Sequence, residues 1–435
     1  MHLLVAGKSA YSLRSGDTTV PITLAGHTAQ FTRPLLSWAR ARGMRVSYAY
    51  PLRPAGCLMT DPYDELPEGV LEVPFTDVEA AKAPLHIGYL SLEASLRRAV
   101  EENGALDWVF VPYAFPLAPL LVSLREKYGF KLALFLRGGD GYQWLDPDWE
   151  GAVRAYGGAE QARQACALYR ESLEAADFVG AASQWLGSVV EKFGGRWDAV
   201  VESPAAMGPA HAPGGDGLPW DKGAFLADPG VVPRHGRPDT ARAWLLSAGR
   251  IHPDKNLDLA ADLFAQAALD GWQLVLAGTG AEEHGTGGGT LTRLVEDGRA
   301  CVIEAPPRVI HALFRVSDAY LQTSLPSDTF VDARPSSVTS AAFHGKPVVV
   351  PLAEAGGVAE SLSPENLRAY GFDARNLRPA DPADRAELVR RGAAAVGGLA
   401  DAGKRERAGA ANARHAAGSS VDAVFDRVWA RLGES

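Results

Sequence analysis

The sequence predicts an α/β fold made of two successive Rossmann-like domains with parallel sheets. In both halves of the chain, short apolar runs of strand length alternate with longer segments whose apolar residues recur at helical spacing. This alternation favours parallel sheets covered by helices. The 435 residues suffice for two hydrophobic cores, and the 47% hydrophobic and 22% charged content are ordinary for a globular enzyme.

The first half contains five apolar runs that we predict as strands. These strands are Leu3–Ala6, Met44–Tyr50, Trp108–Val111, Lys131–Leu136 and Phe178–Ala181. Helical spacing predicts helices that include Thr32–Arg42, Leu92–Glu102, Ala118–Lys127 and Ala159–Ala175. Two segments without a regular period, Lys8–Leu24 and Cys57–Pro74, are predicted as long loops.

The second half repeats the alternation after a segment rich in proline and glycine. Its predicted strands are Trp244–Leu246, Trp272–Ala277, Cys301–Ile303, Ala319–Leu321 and Val348–Val350. The predicted domains are 1–204 and 241–415, joined by a linker at 205–240 and followed by a C-terminal helical segment at 416–435.

Composition excludes several classes of function. A net charge of −9 argues against a nucleic-acid partner, because such partners select basic surfaces. The sequence has no apolar run of about 20 residues and therefore predicts no membrane span. The N-terminus begins with a strand-like apolar run and lacks the pattern of a signal peptide. The three cysteines are scattered and odd in number, so we expect neither disulfides nor a zinc site, and a cytoplasmic location.

A glycine turn with two cations follows the first strand of the second half. Gly249 and Arg250 come directly after the apolar run, and Lys255 precedes a helix whose apolar residues begin at Leu257. A helix start offers free N–H groups and a positive dipole end to an anion. The two cations would suit a diphosphate. The alternative is a pair of surface residues at an ordinary turn between a strand and a helix.

The order of motifs in the second half resembles family 4 glycosyltransferases. After the Gly-Arg turn and its lysine come Leu-Ala-Gly-Thr-Gly, Ser-Asp-Ala-Tyr-Leu-Gln-Thr-Ser, His-Gly-Lys-Pro-Val-Val-Val and Ala-Gly-Gly-Val-Ala-Glu-Ser. The resemblance covers about Trp244 to Leu362. It implies the GT-B fold, with two sheets facing across a cleft and the last helix, Val421–Leu432, crossing back to the N-terminal domain.

The resemblance implies that Arg250 and Lys255 bind the diphosphate of a nucleotide-sugar donor. These cations would neutralise the departing nucleotide without a metal ion, so we expect no metal and no cofactor. The Asp146-Pro147-Asp148 segment matches a short metal-binding pattern, but such matches arise often by chance.

The segment from Asp332 to Ser340 is a second candidate for donor binding. Pro335 suits the first position of a helix, which would place Ser336 and Ser337 in a first turn that can meet phosphate oxygens. The family carries two glutamates here. By position, the first corresponds to Asp332 and contacts the sugar, and the second corresponds to Ser340 and holds the ribose. Asp328 competes for the sugar-contacting role. The loss of the second glutamate indicates either an unusual donor or lost catalysis.

A glycine-rich loop follows the fourth strand of the first half. Arg137 occupies the position of a family histidine, so a general base is not expected there. Because arginine stays charged, we expect it to hold a phosphate or an acidic acceptor, with Gly138, Gly139 and Asp140 lining the acceptor site. The alternative is a structural loop in which Arg137 pairs with Asp140.

The resemblance adds further donor contacts at the turns. Gly26 and His27 match loosely a turn that meets the donor phosphates, although the usual double glycine is missing. Arg308 follows two prolines at a turn that would face the nucleobase. Glu360 belongs to the family's Gly-Gly-x-x-Glu motif, which lines the cleft.

We therefore predict a retaining glycosyltransferase that transfers a sugar from a nucleotide-diphosphate sugar to a small soluble acceptor. The two irregular segments of the first half would shape the acceptor pocket. Two alternatives stay open: a non-catalytic sugar-nucleotide-binding partner protein, and a GT-B nucleotide-sugar epimerase.

Overall fold

The computed structural model describes most of the chain and divides it into two compact units. The described residues are 1–7, 12–15, 18–20, 31–52, 57–58, 66–76, 85–112, 114–137, 145–148, 150, 153, 157–205, 221–249, 255–278, 289–305, 307–326 and 331–434. The first unit comprises Met1–Gly208 together with Val421–Ser435, and the second unit comprises Pro209–Ser420.

The first unit is built on a seven-stranded parallel sheet. Its strands in chain order are β1 (His2–Ala6), β4 (Arg45–Ala49), β7 (Val70–Glu72), β9 (Trp108–Val111), β10 (Lys131–Leu136), β11 (Phe178–Ala181) and β12 (Ala199–Val200). Their spatial order is β12-β11-β10-β9-β1-β4-β7. Every residue of β1, β9 and β11 is buried, as expected for strands covered on both faces.

The described helices of the first unit include one from the C-terminal end of the chain. They are α1 (Arg33–Ala41), α2 (Leu85–Asn103), α3 (Ala114–Tyr128), α4 (Ala159–Ala175), α5 (Gln184–Lys192) and α14 (Val421–Glu434). Helix α14 packs on α1 and on Phe31, which precedes α1. The ring centroid of Phe425 lies 5.8 Å from that of Trp38 and 5.1 Å from that of Phe31. The Trp38 indole also donates to the Asp426 carboxylate at 2.9 Å.

The second unit has a sheet of the same size with one antiparallel edge. Its strands are β13 (Val232–His235), β14 (Ala243–Ala248), β15 (Trp272–Ala277), β16 (Ala300–Glu304), β17 (Ala319–Leu321), β18 (Val348–Leu352) and β19 (Gly371–Asp373). The spatial order is β13-β16-β15-β14-β17-β18-β19, and only the β13–β16 pair is antiparallel among the described ladders of this sheet. Two apolar clusters pack on the strands of this sheet.

Helices connect the strands of the second unit. They are α6 (Lys222–Leu226), α7 (Leu257–Ala267), α8 (Thr290–Glu296), α9 (Pro307–Val316), α10 (Ser336–Phe343), α11 (Pro364–Tyr370), α12 (Pro382–Gly397) and α13 (Ala402–Ala416). Side-chain caps begin several of them: Ser363 accepts from the Asn366 N–H, and Asp381 accepts from the N–H groups of Ala383 and Asp384.

The structure corrects three local predictions. The segment predicted as a linker contains α6 and β13. The segments predicted as loops contain short strands: β2 (Ser12–Ser15), β3 (Thr18–Val20) and β6 (Cys57–Leu58) form a small antiparallel sheet. Another pair, β5 (Pro51–Leu52) with β8 (Phe75–Thr76), is parallel.

The described residues include no helix that is long and apolar enough to cross a membrane.

Candidate functional site

Lys255 lies at the start of α7, two residues before the first helical residue Leu257. The Gly249 N–H donates to the Ala277 carbonyl at 2.9 Å, which holds the end of β14 beside β15. Gly249 has a φ of 154°, a conformation that favours glycine. Asn256 precedes α7 with a φ of 49°, and its amide donates to the Thr323 carbonyl at 3.3 Å. The Asn256 contact holds the backbone next to Lys255.

Lys255 and Asp332 form an ion pair. The Lys255 Nζ lies 3.0 Å from Asp332 Oδ2, and the Gln322 amide donates to the same oxygen at 3.2 Å. The two charged side chains are only 22% and 17% exposed. The Thr323 hydroxyl donates to the Lys255 carbonyl at 2.8 Å. The structure thus brings together two predicted site residues that are 77 positions apart.

A two-glycine turn packs against the backbone of Asp332. The Gly357 N–H donates to the Asp332 carbonyl at 3.3 Å. At Gly356, φ is 106° and a Cβ would lie 2.8 Å from that carbonyl oxygen, so only glycine fits without displacement. The predicted Gly-Gly-x-x-Glu motif therefore supports Asp332 directly. Glu360 follows in a short 3₁₀ helix, Val358–Ser361, and its carbonyl lies 3.1 Å from His415 Nε2.

A buried tyrosine connects β14, β17 and α10. The Tyr320 hydroxyl lies 3.0 Å from the Ala248 carbonyl and 3.3 Å from Gln322 Oε1, and it also bonds the Ser337 hydroxyl. Burial raises the pKa of Tyr320 well above its usual range, so the phenol stays protonated and donates its hydrogen. Tyr320 thereby orients Gln322, whose amide meets Asp332.

Helix α10 carries the three predicted serines on a short segment. Pro335 is the cap residue, with φ −67° and ψ 123°. The helix therefore begins at Ser336, one position after Pro335, where it was predicted to begin. Ser336 and Ser337 are half-buried in the first turn. Ser340, predicted at the ribose-holding position, is 2% exposed.

A small pocket lies at the carboxyl ends of β14, β15 and β17. It is lined by Ser247, Ala248, Gly249, Lys255, Leu257, Leu276, Ala277, Gln322, Thr323 and Ser324. Ser324 is 5% exposed, and its buried hydroxyl has no hydrogen-bond partner among the described residues. A buried hydroxyl without a partner is unfavourable unless a ligand or water meets it. A water molecule or a polar group of a ligand would satisfy this hydroxyl.

Sequence reasoning did not assign a role to Gln322, Thr323 or Ser324. These polar residues follow the apolar strand β17 directly. Ligands of open α/β sheets bind at the carboxyl ends of strands, so a polar run at that place was an available signal.

In the first unit, Arg137 lies at the end of β10 and is bound to the protein itself. The guanidinium donates to the Ser203 hydroxyl at 2.7 Å and to the Val201 carbonyl at 3.1 Å. Its Cζ lies 3.5 Å from the centroid of the Phe31 ring. With only 5% of Arg137 exposed, these contacts hold the segment after β12 against Phe31, which precedes α1. The pairing of Arg137 with Asp140, predicted as an alternative, involves a residue outside the described part of the chain.

Several predicted site residues lie outside the described part of the chain. They are Gly26, His27, Gly138, Gly139, Asp140, Arg250 and Asp328. Arg308 belongs to the first turn of α9 by its backbone. The roles predicted for these residues stay predictions.

The described residues contain no cluster of three or more histidine, cysteine, aspartate or glutamate side chains that could hold a metal ion. In the Asp146-Pro147-Asp148 segment, the Asp146 carboxylate accepts from the Asp148 N–H at 3.0 Å and so closes a local turn.

Burial raises the pKa of the Cys301 thiol to about 12, so this cysteine stays protonated.

The chain is similar in structure to several glycosyltransferases. No family model matches it, and no curated protein matches it in sequence. The structure of Anabaena Alr3699/HepE in complex with UDP superposes with a TM-score of 0.62 at 15% identity, covering 100% of both chains. A glycosyltransferase from Rickettsia africae ESF-5 gives 0.65 at 12% identity, covering 100% of this chain and 98% of that one. WaaG, a glycosyltransferase involved in lipopolysaccharide biosynthesis, gives 0.58 at 13% identity and 98% coverage of each chain. This chain therefore has the α/β GT-B fold of glycosyltransferases, as its sequence predicted.

Proposed function

We propose that the protein is a glycosyltransferase that uses a nucleotide-diphosphate sugar as donor. The observation that carries the proposal is the position of Lys255. Lys255 lines a small pocket at the carboxyl ends of parallel strands and lies at the start of a helix, where an anion is stabilised. The Anabaena structures, which contain UDP in one case and UDP-glucose in another, support a uridine nucleotide as the first donor to test.

Lys255 and Arg250 would bind the diphosphate and stabilise the charge that develops on the departing nucleotide. Ser336 and Ser337 would add hydroxyl and N–H donors from the first turn of α10. Asp332 or Asp328 would accept hydrogen bonds from the sugar. With two cations available at the phosphates, we propose transfer without a metal ion.

The finer features of the proposal follow from the family resemblance. We propose membership of family 4, retention of the anomeric configuration, a small soluble acceptor and a cytoplasmic location. Retention can be tested by NMR of the anomeric proton in the first product formed from a donor of known configuration.

The experiment for the activity is a nucleoside-diphosphate release assay with UDP-, GDP-, ADP- and TDP-sugars and a panel of acceptors, with and without EDTA. We expect acceptor-dependent release from one donor, unchanged by EDTA and reduced by orders of magnitude in Arg250→Ala. Near-normal turnover of Arg250→Ala would contradict the assignment.

A non-catalytic sugar-nucleotide binder is the second candidate. The observation that favours it is Ser340, a neutral and buried residue at the position where the resembling family carries a ribose-binding glutamate. Such a binder would raise its melting temperature with a sugar nucleotide but release no nucleoside diphosphate.

A further inference from the structure

The cation that is proposed to bind the diphosphate already has a carboxylate partner. Asp332 lies 3.0 Å from the Lys255 ammonium, in a setting where both side chains are mostly buried. Low exposure strengthens the attraction between the two charges, because little water screens it. A phosphate that approaches Lys255 also meets the negative charge of Asp332. The anion must therefore displace this carboxylate or bind beside it.

We propose that Asp332 is an internal counter-ion that donor binding exchanges, and that this exchange makes the pocket select a diphosphate esterified with a sugar over the bare nucleoside diphosphate. This inference rests on the proposed function. In it, Asp332 is the residue that determines the specificity for a sugar nucleotide over the bare nucleoside diphosphate.

The exchange requires movement of side chains only. The backbone of Lys255 is held by the Thr323 hydroxyl, and that of Asp332 is held by the Gly357 N–H. Gln322 is in turn oriented by Tyr320 and keeps one donor on the carboxylate. The Lys255 side chain can therefore turn to a phosphate while Asp332 remains in place.

Once Lys255 has turned away, the Asp332 side chain, which is 17% exposed in the ion pair, is left without its cation. A buried carboxylate that loses a partner is destabilised unless new donors reach it. Sugar hydroxyls next to the phosphates can provide those donors, and a nucleoside diphosphate alone cannot. Asp332 thus penalises the bare nucleotide more than the sugar nucleotide, which favours release of the product after transfer.

The test is calorimetric titration of the full chain with three matched pairs: UDP and UDP-glucose, GDP and GDP-mannose, ADP and ADP-glucose. The variant is Asp332→Asn, which keeps the shape of the side chain and removes its charge. The control is Asp258→Asn, since Asp258 is exposed in the first turn of α7 and carries the same charge three residues from Lys255. A double variant, Asp332→Asn with Lys255→Met, tests whether Asp332 acts through Lys255.

For the pair that the wild type binds, we expect Asp332→Asn to bind the bare nucleotide about 10-fold more tightly, a difference of about 1.4 kcal/mol. Its preference for the sugar nucleotide should fall by at least that factor. The control should change both affinities by about 2-fold or less, and Lys255→Met should abolish the effect of Asp332→Asn. Equal changes for both ligands, or the same result from Asp258→Asn, would overturn the inference alone. Absence of binding by the wild type to every pair would overturn both the inference and the proposed function.

Discussion

Replacement of Gly356 by alanine tests how the two-glycine turn supports the site. The new Cβ would lie 2.8 Å from the Asp332 carbonyl oxygen, which is shorter than a normal contact and involves backbone rather than a flexible side chain. The φ of 106° also lies outside the region that alanine adopts readily. We therefore expect strain in the turn or displacement of Asp332.

The magnitude follows from two contributions. An unfavourable φ costs about 1–2 kcal/mol, and overpacking adds about 1–3 kcal/mol. The stiffer unfolded chain offsets about 0.4–1 kcal/mol of this. A net loss of about 3 kcal/mol corresponds to a melting temperature roughly 6–12 °C lower for a unit of this size.

Gly298→Ala is the matched control. Gly298 has a φ of 65°, and a Cβ there would meet no described atom within 4 Å. Its substitution should cost about 1 kcal/mol or less, since only the backbone contribution remains. Differential scanning calorimetry gives the melting temperatures, and titration with UDP and UDP-glucose gives the selectivity. Equal melting temperatures for the two variants, with unchanged selectivity in Gly356→Ala, would refute the proposed support of Asp332 by this turn.

Two further predictions concern stability. In Gly409→Ala the new Cβ would lie 2.1 Å from the Gly345 carbonyl oxygen. We therefore expect the free energy of unfolding, measured by urea denaturation, to fall by at least about 3 kcal/mol. A decrease below about 1 kcal/mol would show that α13 can shift freely. His2 is fully buried, and burial lowers its pKa from the usual 6.5. Because the unfolded chain then takes up a proton that the folded protein excludes, stability should fall as the pH drops below about 6.5, and His2→Gln should remove part of that decline. An identical pH dependence of melting temperature in wild type and His2→Gln would contradict this.

The parallel strands were predictable because they are buried on both faces. Trp272–Ala277, Lys131–Leu136 and Ala319–Leu321 have the predicted bounds, since a strand covered by helices on both sides is a continuous apolar run. Strand β13 was missed for the opposite reason. It is an exposed edge strand within a segment rich in proline and glycine, so burial leaves no pattern in its sequence.

Local motifs selected single candidate residues, but the way in which those residues meet could not be predicted from the sequence. Lys255 and Asp332 were each selected from local motifs, whereas their ion pair and the supporting amide of Gln322 depend on how α7, β17 and α10 meet. The sequence motifs gave no role to the polar residues after β17, and only the structure shows that the buried Ser324 hydroxyl has no partner among the described residues. Arg137 was placed correctly at the end of a strand, but its partners follow 64 to 66 positions later in the chain.

The central claim is that the pocket around Lys255 binds the diphosphate of the donor. The most direct test is the affinity of Lys255→Met for the nucleoside diphosphate that the wild type binds. Lys404→Met is the control, because Lys404 belongs to the same unit but lies over the Tyr370 ring on α11. A hydrogen bond to a charged group is worth about 1.5–3 kcal/mol, so Lys255→Met should bind roughly 10- to 100-fold more weakly while Lys404→Met binds as the wild type does. Equal affinities for the wild type and both variants would contradict the account.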